Sequence, residues 1–136
     1  MWTRLSRMGA WGTGVFENDG ALDLLAVLRD ADPEERTGVL REALEAAADE
    51  SDYLENPEAQ SALAAAAVVA AARGGEVVRN GAEVPEPDTA LVALAGRALD
   101  RVVAEESEWR ELWEEAEELE EALSALAEVQ TGLDLD

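Results

Sequence analysis

Apolar residues recur along most of this chain at intervals of three and four, and Pro and Gly punctuate the runs. That is the spacing of helices that bury one face. The first run starts at Asn18 or Asp19 and continues to about residue 29, with Leu22, Leu25, Ala26 and Leu28 on its buried side. "DADPEER" then reads as a stop and a start, with Asp32 as N-cap, Pro33 at the first helical position and Glu34 and Glu35 at the positive dipole end. The second helix runs to about residue 48 on Val39, Leu40, Ala43, Leu44 and Ala47.

"DESDYLENPE" breaks the pattern, and Asn56-Pro57 repeats the cap-then-proline signature. The third helix, about 57–73, is "PEAQSALAAAAVVAAAR" and ends at Gly74-Gly75. Its small side chains let neighbours approach closely, which predicts a central position. Residues 74–87 read as a loop, with a small hairpin at Asn80-Gly81 as the weaker alternative. The fourth helix runs from near Asp88 to about residue 105, on Leu91, Leu94, Ala95, Ala98, Leu99 and Val102. The fifth is capped by Ser107 and continues to about residue 129, on Trp109, Leu112, Trp113, Ala116, Leu119, Leu123 and Leu126. Thr131-Gly132 ends it, and the acidic tail 131–136 frays. The pattern predicts an all-α fold: one compact bundle of about five helices over residues 8–130, with an N-terminal Gly/Trp segment packed onto it.

Composition narrows the chemistry. The chain has 136 residues, one domain by size. It has no Cys and no His, and all ten basic residues are Arg. Disulfides, thiolate or imidazole metal sites, a Ser-His-Asp triad, a Schiff-base lysine and a Walker lysine are therefore excluded. What remains favours a non-enzymatic role with no cofactor. The net charge of −22 repels nucleic acid and anionic membranes and suits a basic protein partner, although it also serves solubility. No run of about 20 apolar residues predicts a membrane span. "MWTRLSRM" lacks the apolar stretch of a secretory signal. Met8 reads as a natural start, so residues 1–7 are expected to be a disordered extension of a cytoplasmic chain.

Two stretches are candidates for function. In "MGAWGTGVFENDGALDLL", residues 8–25, Gly12-Thr13-Gly14 fails as a dinucleotide fingerprint, because the third glycine position holds Glu17. Trp11 and Phe16 are large enough to fold back onto the bundle as a staple, Gly9, Gly12 and Gly14 allow the bends, and Asn18 or Asp19 caps the helix. The same loop also suits an interaction surface built on Trp11, Phe16, Asn18, Asp19 and Asp23. The alternative is a divalent-metal site, in a binding protein or a metal-dependent enzyme, using Glu17, Asp19 and Asp23.

The second stretch, "EESEWRELWEEAEELEE" at 105–121, has ten Glu among its seventeen residues. Trp109 and Trp113 lie one turn apart on one face. They form either a core stripe behind a solvated acidic face or the hot spots of a docking helix, with Glu114, Glu117 and Glu118 as its charged contacts. Such a helix can occupy a basic cleft of another protein, as an immunity-type inhibitor or regulator does. Tyr53 reads as a packed loop anchor, and Arg97 and Arg101 as partners of carboxylates on a neighbouring helix.

Trp11, Gly12, Gly14, Phe16, Asn18, Asp19, Ala21 and Asp23 resemble the opening of a bacterial family, domain of unknown function 4259, and "ALDRVVAEESEWRELWEE" is similar to its C-terminal half. The resemblance spans about residues 8–120 and implies a small bacterial helical domain. It brings no catalytic, substrate or cofactor residue with it. Leu24 stands where many relatives carry Trp.

Overall fold

The computed structural model describes residue 12 and residues 14–78 and 82–134. Trp11, Gly9, the 1–7 extension, Asn80-Gly81 and the last two residues lie outside the described residues. Among the described residues the chain is all-helical: α1 (Asp19–Asp30), α2 (Arg36–Ala48), α3 (Asn56–Arg73), α4 (Thr89–Val103), α5 (Glu108–Glu115) and α6 (Leu119–Asp134).

Helix α3 is the hub. It is apolar nearly all round, and residues 62–69 are buried without interruption. A helix of that kind satisfies its surface only by being surrounded, and α3 packs against all five other helices. Its Ala side chains keep those neighbours close. It ends at Arg73, and two residues on Gly75 takes a φ of 78°, which suits glycine. There the Glu76 amide donates to Ala71 O and the Gly75 amide to Ala72 O, satisfying the last carbonyls.

The caps at Asn18 and Ser107 form as expected, and Asp88, near which the fourth helix was expected to begin, caps it likewise, each side-chain oxygen accepting from the amide three residues on. Other boundaries differ, for physical reasons. Pro33–Glu35 is a 3₁₀ turn. It is closed by the Glu35 amide donating to Asp32 O at 2.8 Å, so the Asp32 side chain makes no cap bond. Asn56 does not cap α3 but is its first residue. Its amide is taken by Glu108 Oε1 at 2.8 Å, a cap supplied from α5. On α1 the buried residues are Gly20, Ala21, Leu24, Leu25 and Leu28, whereas Leu22 is 47% exposed. Leu22 lies about 100° round the helix from Ala21, beyond the arc that faces α3.

The expected fifth helix is two helices. After Glu115 the chain passes through Glu117 at φ 62°. The Glu118 amide donates to Trp113 O and the Glu117 amide to Glu114 O, the paired bonds of a helix stop with a left-handed residue. Glu114, Glu117, Glu118 and Glu121 would repel one another at i, i+3 and i, i+4 in a continuous helix. Beyond the break, α6 runs through Thr131-Gly132 to Asp134 and buries Leu133. Gly132 permits this, since a Cβ there would stand 3.0 Å from Ala70 Cβ on α3.

The arginines close helix ends rather than simply pairing with carboxylates. Arg101 donates to the carbonyls of Glu50, Asp52, Glu105 and Glu106, which corrects its expected pairing with a neighbouring helix. Arg36 donates to Leu28 O, Arg29 O and Glu83 O, and Arg110 to Val103 O. Arg73 donates to Leu133 O. Most of these carbonyls lie at or just beyond helix C-termini, where backbone acceptors lack partners and the dipole is negative.

Candidate functional site

The glycine-rich entry has a local logic. Glu17 folds back so that its Oε1 accepts from the Gly14 amide at 2.9 Å. A Cβ on Gly12 or Gly14 would lie 2.3 or 2.4 Å from that carboxylate, so a side chain at either position would make the exposed Glu17 swing away and give up this bond. Asn18 is buried, accepts from Ala21 N at 2.8 Å and donates to Val15 O at 3.2 Å. Val15 and Phe16 are partly buried against the core. The entry is therefore a packed helix start, with the Glu17 carboxylate folded back onto the Gly14 amide.

Gly20 sets how closely α1 crosses α3. Its amide donates to Gln60 Oε1 at 3.2 Å, and its carbonyl accepts from Ser61 Oγ at 3.3 Å. The segment before α3 is tied to the start of α5 by a short parallel bridge. Leu54 N donates to Glu106 O at 2.8 Å, and Glu108 N donates to Leu54 O at 2.9 Å. Arg101 holds the same segment from the other side through Glu50 O and Asp52 O. Tyr53 is thereby set beside α5, where its hydroxyl donates to Glu111 Oε1 at 2.8 Å. The phenol is pushed up to about 12 by desolvation, by that hydrogen bond and by the charges of Glu111, Glu108 and Glu106.

These ties bring the two sequence candidates together. Asp19 and Asp23 of α1 and Glu108 and Leu112 of α5 line one cleft of about 690 Å³, with Tyr53, Glu55, Pro57 and Gln60 between them. Asp19, Asp23 and Glu55 are exposed, and Glu108 is half-buried with one oxygen committed to the start of α3. Four carboxylates thus surround a surface of ring, aliphatic and amide groups. Such a cleft can hold a cationic side chain, with Tyr53 offering a ring edge or face beside it.

Other candidates lie elsewhere. Trp109 and Trp113 are each 4% exposed and belong to the core of this chain. Glu114 is exposed on a second hollow with Glu105, Glu106 and Glu111, where Arg110 approaches it at 3.8 Å. Glu117 is exposed at the turn, and Glu118 is half-buried. Sequence reasoning missed Glu55, Glu108 and Leu112 as members of the cleft, and it read Tyr53 only as an anchor. The available signal was one tyrosine in an acidic loop just ahead of a proline-started helix. Among the described residues, no group of three or more Asp or Glu side chains is placed to hold a metal ion. No helix among them is long and apolar enough to cross a membrane.

Residues 9–125 match the family described as domain of unknown function (DUF4259), and the chain belongs to that family. No curated protein and no solved structure matches it.

Proposed function

We propose that this member of the DUF4259 family is a cytoplasmic, non-enzymatic protein-binding module that holds a basic partner at the cleft between α1, α3 and α5. The role that fits is an inhibitor or regulator of the immunity type, covering a cationic surface of its partner. One observation carries the reading: carboxylates from the N-terminal motif and from the Glu-rich helix, distant in sequence, line one cleft beside an aromatic ring. The net charge of −22 supports it, because a field of that sign attracts cationic surfaces over a Debye length and speeds encounter.

The test is affinity co-purification from the native host at low salt, repeated at about 0.5 M salt, where screening shortens to a few ångströms. A basic protein held in the first condition and lost in the second supports the reading. Absence of any partner in both refutes it.

A further inference from the structure

We propose that the partner is engaged through a short amphipathic segment, basic at one end and aliphatic at the other. That segment lies in a trough running from the acidic cleft into an apolar groove between α1 and α2. The proposal rests on the protein-binding reading and adds the form of the ligand.

The groove is a shallow, open hollow of about 400 Å³ lined mainly by carbon, from Leu24 and Val27 of α1, Val39, Ala43 and Ala46 of α2, and Pro57 of α3. Residues 39, 43 and 46 form one stripe of α2, and Leu24 and Val27 face them one turn apart. Val27 is 55% exposed, an aliphatic side chain left in water although the adjacent Leu28 is fully buried. Helical grooves of this kind take the apolar face of an amphipathic peptide.

Charge complementarity selects the occupant. Asp23 and Pro57 line both the groove and the cleft, so the two spaces lie side by side. Asp23, Glu42 and Glu58 place carboxylates along the groove itself. A wholly apolar occupant would strip water from those carboxylates without pairing them, which is unfavourable. A wholly basic one would leave Val27, Val39 and Ala43 wet. A segment carrying aliphatic anchors followed by Lys or Arg matches both halves. A second copy of this chain does not, since each copy carries −22.

The test uses the full chain and a phage-displayed library of random peptides. Recovered peptides are titrated by fluorescence polarisation against the wild type, Val27→Glu, Ala46→Glu and the double change Asp19→Asn with Asp23→Asn. Both groove positions are exposed, so their variants are expected to keep the fold, which circular dichroism checks. The expected peptides combine aliphatic residues with Lys or Arg. They lose about tenfold or more in affinity on each groove variant and on the double change. Peptides that are basic but bind the groove variants like wild type overturn the trough and leave the acidic cleft standing. Recovery of no basic peptide overturns both. A free chain whose sedimentation shows a dimer, lost on Ala46→Glu, would assign the groove to a second copy and also overturn the proposal.

Discussion

Replacing Gly20 by Ala tests how tightly α1 is seated on α3, and with it the geometry that sets Asp19 and Asp23 at the cleft. A Cβ at this position would stand 2.6 Å from Gln60 Cβ and 3.2 Å from the Pro57 carbonyl. Neither is the far end of a flexible side chain, and Gln60 is buried and accepts from the Gly20 amide. The helices must therefore part. Overpacking of this kind costs about 1–3 kcal/mol, and loss of the amide bond adds about 1 kcal/mol. Against this, Ala in a helix gains roughly 1 kcal/mol over Gly.

The net expectation is destabilisation by about 1–3 kcal/mol. Gly38→Ala and Gly96→Ala supply the control, because a Cβ at either position meets nothing within 4 Å. Both are expected to stabilise by about 0.5–1 kcal/mol. Urea unfolding followed by circular dichroism measures all three variants. If Gly20→Ala were as stable as the two controls, the close α1–α3 crossing would be refuted.

Three further outcomes follow from particular residues. Glu117→Gly should stabilise the chain by about 1 kcal/mol, because a left-handed residue then loses its Cβ penalty; a comparable loss in urea unfolding would mean that α5 and α6 are one continuous helix. Tyr53 is the only tyrosine, so absorbance titration reports it alone: the folded chain should titrate near 12, the unfolded chain near 10.0, and Glu111→Gln should lower the folded value. Since the folded value is the higher, this contribution to stability is complete below about 10, falls as pH rises from there to about 12, and disappears in Tyr53→Phe. Arg101→Met should destabilise by roughly 2–3 kcal/mol, since hydrogen bonds from a charged donor are lost, and hydrogen exchange at Leu54 should accelerate; unchanged exchange would show that the clamp does not hold the loop.

What was legible in the sequence was local chemistry. Asn18, Asp88 and Ser107 announce helix starts because a short polar side chain reaches its own backbone three residues on. The place of α3 follows from a run with no polar face. What was not legible depended on partners far along the chain. The apolar spacing from Trp109 to Leu126 continues through the break at Glu117, so periodicity alone draws one helix where charge repulsion and packing make two. Leu22 and Leu24 both fit a stripe on α1, and only the crossing with α3 decides between them. Asp19 and Asp23 were visible as candidates. Their meeting with Tyr53, Glu55 and Glu108 was not, because it is made by the Leu54–Ser107 bridge and the Arg101 clamp, which join segments some fifty residues apart.

The most direct measurement is the affinity of the co-purified partner for two charge variants of equal size. One carries Asp19→Asn, Asp23→Asn and Glu55→Gln in the cleft, and the other Glu114→Gln, Glu117→Gln and Glu118→Gln beyond it. Each removes three negative charges, so long-range attraction changes alike and only position differs. The cleft variant should bind at least about tenfold more weakly, the loss of roughly 1.4 kcal/mol, while the other stays within about twofold of the wild type. Equal weakening of both, or weakening by the distal set alone, would contradict the cleft as the contact surface.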